Sequence, residues 1–148
     1  MDKVGVGLER ALYATYLSYL DPADFSYKLT SHEDNRGSFV EFIKTANSGQ
    51  FSYLTAKPGV TRGGHYHHTK SEKFLVVQGN AEFKFKNIIT NETFAITVNS
   101  SKAEVVETIP GWAHDITNTG KNDLIVLLWA NEIFDHNRPD TVGANLDG

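Results

Sequence analysis

His65 and His67 stand two positions apart, Glu72 follows five positions after His67, and Gly59 and Gly79 bracket the set. A third imidazole, His114, lies downstream in Pro110-Gly111-Trp112-Ala113-His114, with Asn118 four positions beyond it. Residues two apart on a strand share a face, so His65 and His67 can turn toward one ion or one substrate. Glu72 would supply a hard oxygen from the start of the next strand, and His114 would close the set from a distant one. Three imidazoles and a carboxylate suit a divalent metal; zinc is the expected ion, with iron, manganese, nickel and copper open. The same imidazoles can instead move protons. One ring nitrogen cannot do both, because coordination uses the lone pair that a base needs. With metal in place the base is unassigned; without it, His65 is the base. His32, His68 and His136, which lack such spacing, read as ordinary polar residues.

The elements that must carry these groups are mostly strands. Leu8, Leu12, Tyr16 and Leu20 recur four apart and predict one short amphipathic helix at the N-terminus, which Asp21-Pro22 ends. From Phe25 onward the pattern changes to short β-rich runs: 38–44, 50–56, 73–77, 81–87, 93–98, 104–108 and 123–129. Ala81 to Lys86 alternates as a half-buried strand should, while Leu124 to Trp129 is continuously apolar and reads as central. Gly79-Asn80, Thr90-Asn91, Asn99-Ser100 and Thr119-Gly120 are expected to close hairpins. The polar tail after Phe134 is expected to fray or wrap the surface. The expected division is a helical segment at 1–24 and an all-β barrel domain at 25–148.

Composition bounds the function. The chain has 148 residues and 40% hydrophobic content, enough for one ordinary core. Without cysteine, thiolate sites and disulfides are excluded, which favours the cytoplasm. A net charge of -4 argues against nucleic acid as a partner, and no apolar run is long enough to suggest a membrane span. Charge is nonetheless uneven: Lys57, Arg62, Lys70 and Lys73 cluster in one stretch, with Arg36 upstream, and could grip an anionic ligand. Trp112, just before His114, could cover the ring of a ligand.

The spacing of Gly59, His65, His67, Glu72 and Gly79 is that of the first cupin motif, and Pro110 to Asn118 resembles the second without its upstream glycine. The resemblance implies a cupin jelly-roll β-barrel of the kind found in rhamnose-pathway epimerases. Asp34 to Glu41 and Arg62-Gly63-Gly64-His65-Tyr66 are similar to signatures of dTDP-4-dehydrorhamnose 3,5-epimerases. That likeness implies Arg36 and Phe39 as substrate-binding residues and His65 as catalytic base. A closer resemblance is to the C-terminal cupin domain of bifunctional capsular-polysaccharide UDP-sugar epimerase–reductases. It is carried by Phe25-Ser26-Tyr27, Arg36 to Thr45, Lys57-Pro58-Gly59, His65 to Gly79 and Trp129 to Asp135, with Pro139-Asp140-Thr141 behind. It implies a UDP-sugar substrate, a reductase domain on the full-length chain to which 1–24 is a linker, and a homodimer. The last tyrosine is Tyr66, so the later-strand tyrosine acid of the rhamnose enzymes has no counterpart.

The expected chemistry is C3 epimerisation of a UDP-4-keto-6-deoxy-N-acetylhexosamine through an enolate. A metal on His65, His67, Glu72 and His114, or the cation of Lys73, would hold the enolate oxygen. Tyr53, Tyr66 and water are candidate proton donors, and Arg36, Lys57, Arg62 and Lys73 would grip the diphosphate. The competing readings are a sugar-nucleotide 3,4-ketoisomerase, a metal-dependent dioxygenase and a non-catalytic sugar-binding cupin.

Overall fold

The computed structural model describes residues 5–146, so residues 1–4 of the expected helical segment lie outside the described residues. Helix α1 runs Leu8–Ser18, and a 3-10 turn at Pro22–Phe25 follows, capped by Asp21 accepting from the Ala23 N–H at 2.9 Å. The apolar stripe of α1 is present, yet none of its residues is buried. The rest is strand: β1 Ser31–Asp34, β2 Gly37–Thr45, β3 Gly49–Ala56, β4 Thr61–Tyr66, β5 Glu72–Gln78, β6 Asn80–Asn87, β7 Thr93–Asn99, β8 Val105–Thr108, β9 Trp112–Asn118, β10 Leu124–Ala130 and β11 Val142–Gly143.

Two antiparallel sheets face each other, one ordered β1-β2-β3-β10-β5-β8 and the other β11-β4-β9-β6-β7. This is the expected all-β jelly roll, and β10 is central as its apolar run implies, hydrogen-bonded to β3 and β5. The inward face of β6 presents Ala81, Phe83 and Phe85 while Glu82, Lys84 and Lys86 alternate outward. Phe83 meets Phe74 of the opposite sheet edge to face, centroids 5.4 Å apart, and with Leu124 and Val126 they belong to the core between the sheets.

Strand existence follows the apolar alternation, and the exceptions have causes. β1, β4, β9 and β11 fall outside the seven apolar runs because they are polar or glycine-bearing. The turns also need correction. Of the four expected turns, only Thr90-Asn91 closes a hairpin, between β6 and β7; Asn91 takes φ 59, which asparagine tolerates. Gly79-Asn80, Asn99-Ser100 and Thr119-Gly120 are corners where the chain changes sheets. Asn118 builds the last corner: its Nδ2 donates to Ala56 O at 2.8 Å and Asn122 O at 2.9 Å, and its Oδ1 accepts from Gly120 N. Gly49 turns β2 into β3 at φ 76, where a Cβ would lie 1.9 Å from Ala130 O.

Candidate functional site

The site lies at the open end of the barrel, where β4 and β9 of one sheet face the start of β5 in the other. His65 and His114 are cross-strand partners in the β4–β9 pair, just past a bulge between Gly63 and His65. The bulge depends on Gly63, held at φ +97. His67 follows the end of β4 on the same face as His65, and Glu72 opens β5 opposite them. The four offer ligand atoms that all lie within 4.8 Å of one another. His67, Glu72 and His114 are 2%, 7% and 3% exposed, so water competes little for them.

Their polar atoms converge on Glu72, with His67 Nε2 at hydrogen-bond distance from its carboxylate. Glu72 Oε2 lies 3.2 Å from His67 Nε2 and 3.3 Å from His114 Nε2. His67 Nδ1 hydrogen-bonds the main-chain carbonyl of Asp140, and a carbonyl only accepts, so the ring hydrogen sits on Nδ1. In the neutral ring Nε2 then turns a lone pair toward a carboxylate. His114 leans the same way, its Nδ1 3.4 Å from Trp112 O. Its Nε2 is buried and, although close to Glu72, is not aligned with it as a hydrogen bond. Lone pairs aimed at one point call for a cation, and two imidazoles with a carboxylate are the donor set of an open zinc-type site. The residues therefore fit a divalent metal.

Burial alone would raise the Glu72 carboxyl, but the imidazoles of His114 and His67 overcome it and hold the group well below the usual carboxylate range. Burial, with His114 and His67 alongside, lowers the His65 pKa from 6.5 to about 4. His65 differs from the other three in another respect: among the described residues its ring contacts are edge-on to His67 and His114, at 4.9 and 4.8 Å, with no hydrogen bond.

A cavity of about 210 Å³ opens from this cluster, lined by Phe39, Arg62, His65, Lys70 and Glu72 among others. A second chamber of about 330 Å³ shares Phe39, Lys70, Glu72 and Leu128 with it and extends to His32 and His136. Arg62 Nη1 donates to Thr55 O at 3.0 Å and Ser38 O at 3.3 Å, which pins the guanidinium across the sheet junction.

Phe39 and Arg62 thus lie in the cavity, and other expected contacts do not. Lys73 alternates with Glu72 to the outer face of β5 and pairs with Glu107 at 2.6 Å. Tyr66 points away from His65 and packs on His68, centroids 5.3 Å apart. Trp112 packs edge-on against Phe94, at 5.5 Å, outside both chambers. Arg36 is paired with Asp34 at 2.6 Å on the β1–β2 turn, beside Lys57, whose N–H donates to Arg36 O. Three residues near the cavity carry no spacing signal in the sequence. Lys70 and Asp140 lie in irregular segments, and His136 is isolated in the polar tail.

The comparisons agree with this geometry. The pattern of the polysaccharide biosynthesis C-terminal domain matches residues 32–142. A Pseudomonas aeruginosa protein named UDP-2-acetamido-2,6-beta-L-arabino-hexul-4-ose reductase is 60% identical over 144 residues, covering 97% of this chain and 39% of its own. The crystal structure of the capsular polysaccharide assembling protein CapF from Staphylococcus aureus superposes with a TM-score of 0.93 at 46% identity, over 98% of this chain and 39% of that one. The chain therefore spans about two fifths of the length of these relatives. Oxalate decarboxylase from Lactobacillus farciminis, 21% identical with a TM-score of 0.65 over 78% of this chain and 33% of that one, shares the fold. The cupin jelly roll, its polar cluster and the matched pattern together establish that this chain belongs to the polysaccharide biosynthesis C-terminal domain family.

Proposed function

We propose that this domain epimerises C3 of a UDP-4-keto-6-deoxy-N-acetylhexosamine by enolisation, as part of capsular or surface polysaccharide assembly. The observation that carries the reading is the division within the cluster. His67, Glu72 and His114 converge on one point, whereas His65 lines the cavity with its ring free of hydrogen bonds among the described residues. We assign the first three to a divalent metal, with zinc as the expected ion, and His65 to the base.

When bound, the ion supplies Lewis-acid polarisation of a carbonyl oxygen. The remaining work belongs to the chain. The C3–H of a 4-keto sugar is acidified by the adjacent carbonyl, and a neutral His65 takes that proton at a ring nitrogen. The apolar walls of Phe39 and Leu54 limit water at the reacting carbon. No tyrosine lines either chamber among the described residues, so water is the proposed donor on the opposite face. A cavity of about 210 Å³ suits a sugar ring and leaves the nucleotide outside. Arg62, which lines the cavity, then faces the diphosphate, and Arg36 and Lys57 of the neighbouring turn are proposed to reach it from outside.

The identity to a UDP-sugar reductase that extends well beyond this chain supports a reductase domain in the same polypeptide. A homodimer is proposed, because Phe51, Leu127, Trp129 and Val105 leave an apolar patch on the outer face of the larger sheet. A nucleotide-sugar substrate favours the cytoplasm, and no described helix is long and apolar enough to cross a membrane.

The test is incubation with the UDP-4-keto sugar in deuterium oxide, followed by NMR of the product. Label at C3 with the carbonyl still at C4 is expected. Product without C3 label, or a carbonyl moved to C3, rejects the assignment.

A further inference from the structure

Lys70 sits on the link between β4 and β5 and is 7% exposed. Burying an ammonium is costly unless a partner repays it, and the partners here are weak. Nζ donates to Thr141 Oγ1 at 3.4 Å, a long contact with a neutral acceptor, and lies 5.7 Å from the Phe134 ring centroid. Among the described residues it forms no ion pair. The nearby Asp140 carboxylate is engaged by the backbone N–H groups of His68, Thr69 and Lys70 and by the Thr69 hydroxyl. Lys70 lines both chambers, at their junction and beside Glu72. A buried cation with no anion at ion-pair distance among the described residues, facing a cavity, is poised for an anionic ligand.

We propose that Lys70 is the oxyanion contact of this site: its ammonium donates a hydrogen bond to the ligand oxygen that bears negative charge. For the reaction this rests on the epimerase reading; the anion contact itself does not. As the C3–H proton passes to His65, the C–H electron pair forms the C3–C4 double bond and the carbonyl π pair moves onto the C4 oxygen. Lys70 stays protonated and holds that oxygen until a proton returns to C3 and the electrons shift back. Free ligands of the same class are small planar oxyanions that mimic an enediolate, such as oxalate. This role, expected for Lys73 from sequence, falls to Lys70 because Lys73 faces outward.

The experiment uses the zinc-loaded chain and its Lys70→Met variant, which keeps aliphatic volume and removes the charge. Thermal melting, oxalate binding by calorimetry and C3 deuterium exchange are measured on both. Melting temperature should hold or rise in the variant, since an unpaired buried charge is gone. Oxalate affinity should fall about tenfold or more, and the exchange kcat should fall ~10²–10³-fold with KM little changed. Lys70→Arg should recover part of both losses; if the methionine variant does not fold, Lys70→Gln carries the same comparison, and wild-type oxalate affinity in that variant overturns the proposal. A methionine variant that binds oxalate and exchanges like wild type overturns the proposal, as does a wild type that binds no oxalate. Should wild type fail to exchange yet bind oxalate in a Lys70-dependent way, the epimerase reading falls and the oxyanion contact stands.

Discussion

His67 gives its Nδ1 hydrogen to the main-chain carbonyl of Asp140, although 73 positions separate them in the chain. The carboxylate of the same aspartate accepts the backbone N–H groups of His68, Thr69 and Lys70 at 2.8, 2.7 and 3.0 Å. Partial burial would raise that carboxyl, but these N–H groups hold it well below the usual carboxylate range. One tail residue thus fixes both the ring orientation of His67 and the loop that carries it, with β11 pairing to β4 just beyond. Outer partners of this kind typically contribute 10–100-fold in metal affinity. Asp140→Ala keeps that carbonyl but frees the loop that positions it, so zinc binding should weaken by up to about that factor, read by competition with a coloured chelator; unchanged affinity would remove the Asp140 carboxylate from the site.

Among the described residues, Glu72 brings the only carboxylate oxygen to the three imidazoles. Glu72→Gln preserves shape but removes the charge that a divalent ion needs among neutral rings. The variant should emerge from dialysis with far less than stoichiometric metal, measured by elemental analysis, while the parent protein retains it. Full retention by the glutamine variant would mean that the ion sits elsewhere or that the cluster binds none.

Much of this site was legible in the sequence because it is written in local spacing. His65 and His67 share a face by strand geometry, and Glu72 opens the next apolar run. What spacing cannot supply is the direction of a side chain outside a regular element. Lys73 looked equivalent to its neighbours, yet strict alternation with buried Glu72 and Phe74 turns it to solvent. Lys70 lies in a link with no periodicity, so only the folded chain shows it to be buried. Asp140 lies in a polar tail that composition marks as a candidate for fraying; its order comes from hydrogen bonds to a loop some 70 positions earlier.

Acid should unfold the metal-free protein in two stages. The folded-state pKa of His65 is lowered from 6.5 to about 4, so between those values the unfolded chain binds a proton that the folded one refuses. Stability is full above pH 6.5 and falls as pH drops toward 4, by about 3 kcal/mol at most. Glu72 and Asp140 are also depressed, so their contribution is present above the ordinary carboxylate range and is lost as pH falls below it. Melting temperatures from pH 3 to 8 in a chelating buffer should show both stages, and His65→Asn should flatten the upper one. An upper stage of equal size in that variant would rule out His65 as its source.

Lys73 and Arg62 provide a contrast between an outward cation and an inward one. The exposed Lys73–Glu107 pair contributes about 0–1 kcal/mol, so Lys73→Ala should leave C3 exchange within about twofold of wild type and shift melting only slightly. Arg62 lines the cavity and ties two backbone carbonyls together. Arg62→Ala should raise the KM for the nucleotide sugar and lower the melting temperature, since buried carbonyls lose a charged donor. Kinetics in which the lysine variant suffers more than the arginine variant would reverse the assignment of inner and outer faces.

The bulge before His65 can be tested at Gly63. This residue holds φ +97, and a Cβ there would lie 3.0 Å from both the Asp115 Cα and the His114 carbonyl oxygen, so neither the torsion nor the space admits a side chain without movement. An alanine should cost ~1–2 kcal/mol from the left-handed backbone alone. Because β4 and β9 are in register at His65 and His114 only beyond the bulge, relaxing it would slide His65 away from the cavity. His67 is anchored separately through Asp140 and Glu72 comes from β5, while the His114 ring, whose main chain the new Cβ would crowd, is held by Phe74 and Phe85. Gly63→Ala should thus retain bound metal while C3 exchange falls, a separation expected only if His65 serves as base and not as an essential ligand. Loss of metal and exchange together would instead make His65 the fourth ligand and return the base to another group.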